Sequence, residues 1–376
     1  MAAPSRSPSA DLTPQRRPGL YCRATLLLLL IGCTSVIPVQ PEAVFSARIL
    51  DAGLASSDPW AGAHLMLAFP AAQRLSSLRS RWVDLIQDDK ARIPLHGDDG
   101  HRGEQHPHLM LRTAAWVLPS THTPHLKDRI ERALARKGTP TNWQQINDLA
   151  WLIEAAAVLK LAATTPTVDG DLASLARILV AAVEESDQVV KRCLEQGDQR
   201  PDGMQDPAIA GTWAYTCGGM HLLSALAESV DAGYLQEADQ DRVIRSLLLM
   251  TRRLSWELQF RLDEEQRALA AGISPRRAAR HAVLARMKLA GHGLDLLGRC
   301  RALDLLTKKQ VAEAADSCLA AASQVKKRMV EEVDPSGILL SGDTQESDTE
   351  TWERAFGDGC HLLRGLVVWH SNSLRE

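Results

Sequence analysis

From residue 59 onward apolar side chains recur at spacings of three and four, and almost nowhere do apolar and polar positions alternate for long enough to make a half-buried strand. The pattern predicts helices over about 60–87, interrupted at Pro70, and then over 108–118, 125–137, 142–162, 171–195, 208–231, 235–270, 274–304, 307–333 and 350–370. Breakers separate them: Gly138-Thr139-Pro140, Thr165-Pro166, the run from Gly197 to Pro207, Gly272 to Pro275, and Asp334-Pro335-Ser336-Gly337. Asn142, Ser274 and a residue between Asp348 and Thr351 stand where N-caps are expected. Two stretches carry no sustained period: 33–58, rich in Pro, Ser, Ala and Gly, which reads as a linker, and the polar loop from His96 to Glu104. The expectation is one all-α domain over 59–376.

The helices come in pairs, and the second member of each later pair carries the same short word. It reads Gly219-Met220-His221-Leu222-Leu223, then Gly293-Leu294-Asp295-Leu296-Leu297, then Gly359-Cys360-His361-Leu362-Leu363, with the polar position recurring at spacings of 74 and 66. Ala150-Trp151-Leu152-Ile153 is a weaker copy, and Trp143, Trp213 and Trp352 stand eight or nine residues before their slots. His64-Leu65-Met66 and His108-Leu109-Met110 look like degenerate relatives. Units of about 70 residues are helical hairpins that cannot bury their apolar faces alone. Stacked in a line they would make an open solenoid; wrapped round an axis, an α/α toroid. The toroid is preferred, because a glycine two residues before the slot permits close backbone approach where inner helices crowd.

Composition agrees with helices: aromatic residues make up only 4% of the chain, while Ala and Leu dominate. The formal charge of −3 gives no basis for binding nucleic acid. Seven cysteines, at 22, 33, 193, 217, 300, 318 and 360, show no CxxC spacing and no disulfide framework.

The beginning of the chain is a different kind of segment. Residues 1–23 are rich in Arg with a single Asp, an apolar run follows from Leu26 to Ile31, and Gly32-Cys33 closes it. That is the order of a signal peptide over 1–32, with a short uncleaved anchor or an organelle transit peptide over 24–39 as the alternatives. Leu30-Ile31-Gly32-Cys33 resembles the lipobox of bacterial lipoproteins, which implies acylation of Cys33, a membrane reached through lipid such as palmitate, and a place in the bacterial cell envelope. Cleavage before Cys33 would take the formal charge from −3 to −6. Pro38 and Pro41 interrupt the apolar run before it reaches the roughly 20 residues of a spanning helix.

One turn upstream of each slot stands another group able to bind a metal or move a proton: Cys217 before His221, His292 before Asp295, Asp358 before His361. In an inner ring these faces converge, and such ligands suit zinc or a related ion; packed as ordinary core residues, they would instead bond to backbone. Gly291-His292-Gly293-Leu294-Asp295-Leu296-Leu297, Trp213 to Gly218 and Cys360-His361 look like the glycine-rich inner-helix words of lanthionine-synthetase-C-like toroids. The resemblance covers about 210–365 and implies zinc held by Cys217, Cys360 and His361. The order of the words differs from that family, and Leu362 stands where it has a glycine after the Cys-His pair.

Half of the twelve histidines lie in 96–125: His96, His101, His106, His108, His122 and His125. That stretch reads as a solvated loop, with metal binding or cover for a pocket mouth as its alternatives. Asp98-Asp99-Gly100 and Asp343 to Glu350 lack the ligand spacing of a calcium loop. No Gly-x-Ser-x-Gly, phosphate loop, dinucleotide fingerprint or His-Glu-x-x-His occurs. Two functions follow: a lipid-anchored envelope protein whose helical scaffold binds a partner or ligand, or a zinc-dependent enzyme with a Cys/His/Asp site at the mouth of a toroid.

Overall fold

A computed structural model describes residues 40–56, 58–87, 108–196, 207–341 and 349–373. The expected signal peptide, Cys33, and His96, His101 and His106 lie outside the described residues. Among those described there are fourteen α-helices and no strand: α1 (Pro41–Ala55), α2 (Pro59–Ala68), α3 (Ser76–Gln87), α4 (Leu109–Val117), α5 (Thr123–Leu134), α6 (Trp143–Val158), α7 (Leu172–Gln196), α8 (Pro207–Ala210), α9 (Met220–Asp231), α10 (Glu237–Ala270), α11 (Pro275–Ala302), α12 (Lys308–Arg328), α13 (Ile338–Ser341) and α14 (Thr349–Ser373). The chain is all-α. No helix among the described residues is long and apolar enough to cross a membrane.

Two kinds of helix alternate. In α12 the buried positions are Val311, Ala314, Ala315, Cys318, Ala321, Ala322 and Val325, a single stripe at spacings of three and four with charged residues opposite. The long α7 is built the same way. By contrast α2 is buried at every position from Ala61 to Ala68, α6 from Leu149 to Ala157, and α9 from Met220 to Ser229. A helix buried on all sides must be surrounded by other helices, and the contacts supply them. α2 packs on α4, α4 on α6, α6 on α9, α9 on α11, α11 on α14, and α14 returns to α2. The striped helices lie outside these: α7 on α6 and α9, α10 and α12 on α11, and α1 on α2 and α14.

The close approaches are made by glycines other than those in the repeated word. A Cβ on Gly291 would lie 2.5 Å from the backbone nitrogen of Leu362, and one on Gly365 would strike the carbonyl of Gly291. These two let the backbones of α11 and α14 touch. Gly293 and Gly359, two residues before their slots, face outward instead, toward Leu254 and Cys318 and toward Ile49 and Phe45.

Local signals account for most helix ends. Asn142 accepts from the backbone N–H of Gln145, and Thr307 and Gln310 form a reciprocal capping box that starts α12. Ser274 makes no side-chain cap, and α11 begins on Pro275. The expected linker needs correction over 41–55. This stretch is α1, and its Phe45 and Ile49 are fully buried against the core, each contributing about 1.5–3 kcal/mol that an exposed linker would forgo. The helix expected over 208–231 is also divided: one turn of α8 and two 3₁₀ turns, Gly211–Ala214 and Thr216–Gly219, precede α9.

Candidate metal centre

The turn before α9 is where backbone and chemistry meet. Cys217, Gly218 and Gly219 have φ of 53°, 63° and 79°, three consecutive left-handed residues. Glycine takes that conformation freely, whereas Cys217 holds it at about 1–2 kcal/mol. The strained turn delivers the Cys217 side chain beside His221 in the first turn of α9 and His292 in the middle of α11. The three side chains are buried, and their ligand atoms all lie within 4.8 Å of one another.

Around them the inner helices contribute a continuous aromatic layer. The ring of Trp151 lies 3.8 Å from that of His221; His221 meets His292 edge-on at 4.7 Å; His292 lies 3.8 Å from His361; His361 meets His64 at 4.9 Å. His64 donates from Nδ1 to the carbonyl of Trp60 at 2.9 Å, since a carbonyl only accepts, and this leaves its Nε2 with a lone pair. Nε2 of His292 is buried without a hydrogen-bond partner among the described residues.

The electrostatics favour neutral ligands. Burial lowers His64 to about 4 despite its bond to Trp60, with Arg112 adding to the effect. Burial, together with His221, Lys288, Arg112 and His64, holds His292 far below the usual imidazole range. Burial also raises the Cys217 thiol to about 11, with Asp358 contributing and Lys288 and Arg112 opposing. Asp358 is raised to about 6, chiefly by burial, against Lys288 and Arg354. Near neutral pH the centre therefore offers imidazole lone pairs and a protonated thiol beside a carboxyl group.

Toward the C-terminal ends of the same helices lies a second polar layer of a different kind. Arg112 donates from Nε to Glu154 at 2.7 Å, Arg299 reaches the other Glu154 oxygen, and Arg299 grips Asp295 with two bonds of 3.0 Å. Arg364 lies 3.6 Å from Asp295, and Glu228 lies 3.8 Å from Arg299. Trp116 donates to Glu154 at 3.0 Å, and the guanidinium carbons of Arg299 and Arg364 lie 4.3 and 5.2 Å from the centre of its ring. Burial works against ionisation of Asp295, yet Arg299, Arg364 and Arg112 hold its carboxyl at about 2.

The two layers meet the helices in one order. Read along the chain, α6 gives Trp151 then Glu154, α9 gives His221 then Glu228, α11 gives His292 then Asp295 and Arg299, and α14 gives His361 then Arg364. Helices whose side chains meet at two heights in the same order run in the same direction.

The layers correct two sequence expectations. Asp295 does not share a height with His221 and His361. His292 does, and the spacings from Trp151 through His221 and His292 to His361 become 70, 71 and 69. Cys360, expected as a zinc ligand beside His361, does not join the cysteine and histidine donors; it lies in the hydrophobic core, because adjacent helical residues point about 100° apart. His108, His122 and His125 also stay outside the donor group. Cys217, His221, His292 and His361 come together, with Asp358 in electrostatic range of Cys217.

The sequence reading passed over His64 as a site residue and missed Lys288, Arg112, Glu154, Arg299 and Arg364. Part of this was visible. Lys288, His292, Asp295 and Arg299 recur at spacings of four, three and four, a polar stripe on one face of α11.

The residues fit zinc chemically: two imidazoles and a thiol are its usual donors. Zinc bonds of about 2.0–2.3 Å place neighbouring ligand atoms roughly 3.3–3.7 Å apart, so binding would draw these three together by about 1 Å. No family model matches the chain, and no curated protein or solved structure matches it either.

Proposed function

We propose that this protein is a lipid-anchored enzyme of the bacterial cell envelope, an α/α toroid whose interior binds zinc through Cys217, His221 and His292. The carrying observation is the convergence of these three buried donors within 4.8 Å, two from the turn before α9 and its first turn and one from α11, 71 residues beyond His221. The toroid is supported by the run of contacts from α2 through α4, α6, α9, α11 and α14 back to α2, with striped helices outside. The anchor rests on the lipobox-like sequence that ends at Cys33.

Three protein donors leave a fourth position for water or substrate, the pattern of catalytic rather than structural zinc sites. Proton exchange there is assigned to Asp358, which is in electrostatic range of Cys217 and whose carboxyl, raised to about 6 by burial, can both hold and release a proton near neutral pH. The reaction class that suits these parts is metal-assisted hydrolysis.

A second reading, a scaffold that binds a partner through its outer surface, is favoured by the depth of the histidine layer: His221 is 2% exposed and His361 8%. Elemental analysis of the purified chain separates the two. About one zinc per chain, lost in Cys217→Ala and in His292→Ala, supports the enzyme; no metal after zinc addition, with unchanged melting, supports the scaffold. Labelled palmitate incorporated by the wild type and absent from Cys33→Ser supports the anchor, and equal labelling of both removes it.

A further inference from the structure

Cys217 is held in place by a buried ion pair from an outer helix. Arg253 of α10 donates from Nη1 to the carbonyl of Gly218 at 2.7 Å and to Oγ1 of Thr212 at 2.8 Å, and from Nε to Oε2 of Glu257 at 3.0 Å. The same Glu257 oxygen accepts from the indole N–H of Trp213 at 3.0 Å, and the Arg253 guanidinium carbon lies 4.8 Å from the centre of the Trp213 ring. Both charged side chains are almost wholly buried.

Two features make this more than ordinary packing. Gly218 leaves room for the guanidinium, because a Cβ there would run into Arg253, and Gly219 lies close against Thr212. Moreover, Arg253 bonds to Gly218, directly after Cys217, and to Thr212, five residues before it, bracketing the one strained non-glycine of the turn. A left-handed cysteine persists only where its surroundings over-determine it. Released from the bracket, Cys217 would fall back to negative φ and carry its sulfur away from α9 and α11.

We infer that the Arg253/Glu257 pair is the positioning device of the centre, locking the turn at Cys217 to Gly219 so that the sulfur faces His221 and His292. This inference rests on the reading of those three residues as a metal site. Neither Arg253 nor Glu257 is a ligand; they act through the turn.

The test uses the full-length protein with two readouts. One is zinc affinity by competition with a chromophoric chelator; the other is the rate at which iodoacetamide alkylates Cys217 in metal-free protein, followed by mass spectrometry of the peptide. Removing one partner of a buried pair endangers the fold, whereas replacing both with apolar residues of similar size is often tolerated. The informative variant is therefore Arg253→Met with Glu257→Leu, and Arg253→Lys is the conservative control.

The double variant should melt within a few degrees of wild type, bind zinc at least tenfold more weakly, and alkylate at Cys217 at least tenfold faster. Arg253→Lys, still able to donate to the Gly218 carbonyl, should fall between. Wild-type alkylation in the double variant overturns the inference, whatever the zinc result. Faster alkylation in a protein whose wild type binds no zinc upholds the positioning role and removes the metal reading alone.

Discussion

The two polar layers inside the helices lie little more than one turn apart and are equally buried, yet they are finished to different degrees. In the lower layer three guanidinium groups, Arg112, Arg299 and Arg364, meet three carboxylates, Glu154, Asp295 and Glu228, and Trp116 closes the stack. Its charges cancel. The upper layer has imidazoles in contact with one another, a strained cysteine, and a buried His292 nitrogen with no hydrogen-bond partner among the described residues. Buried polar groups are normally satisfied from within; in the lower layer Glu154 and Asp295 are satisfied by arginines, while Nη1 of Arg112 is buried with no hydrogen-bond partner among the described residues. The upper layer instead gathers groups of the kind that bind a metal, Cys217, His221 and His292.

The sharpest way to break this contrast is to remove one member from each layer. Glu154→Gln keeps the shape but leaves Arg112 and Arg299 without their shared carboxylate, and should cost about 3–5 kcal/mol by urea denaturation of metal-free protein. Cys217→Ala removes no charge and should cost on the order of 1 kcal/mol. Equal costs would mean that both layers are structural.

Zinc should separate them again. At a hundredfold excess over its dissociation constant, zinc should stabilise the wild type by about 2.7 kcal/mol, and Cys217→Ala not at all. Arg364→Lys, a change confined to the lower layer, should keep the response.

Next in size is the helix contact that brings both layers together. Gly291→Ala places a methyl group 2.5 Å from a backbone nitrogen of α14, which must move, at about 1–3 kcal/mol in chemical melts. Alanine at Gly272, which has φ +80° but nothing within 4 Å, tests the cost of conformation alone.

The smallest effects are those of pH. Asp295 is depressed to about 2, so its stabilisation is complete above the unfolded value near 4 and fades as pH falls from about 4 to 2. Asp187, buried on α7 beside Ser246 of α10, is raised to about 6, mainly by burial, so the folded state holds its proton longer and stability instead rises as pH falls from about 6 to 4. Asp295→Asn and Asp187→Asn should each flatten one of these opposite slopes in melts across pH 2–7.

Helix positions were legible from the sequence because a 3.6-residue period with Gly and Pro breaks is a local signal. α1 was overlooked because its stripe, Phe45, Ile49 and Ala52, is short and opens on Pro41, which was weighed as a breaker although proline is favoured at a first helical position. The candidate site was half legible. Cys217, His221, His292 and His361 stand out by residue type, but matching the Gly-x-polar-Leu-Leu word set Asp295 one turn off, since height along the helices rather than local wording decides which side chains meet. The arginine layer had no local signature: Glu154 and Arg299 pair across 145 residues. The turn at Cys217 was absorbed into an expected helix, because neighbouring apolar residues kept the helical period through Cys217-Gly218-Gly219.

Cobalt substitution tests the claim of an open, thiol-bearing metal site most directly. Cobalt bound at Cys217, His221 and His292 should give sulfur-to-cobalt charge-transfer absorption in the near ultraviolet together with intense tetrahedral bands in the visible, and Cys217→Ala should lose the first. Failure of the wild type to bind cobalt, or binding that shows no thiolate band, would contradict the account.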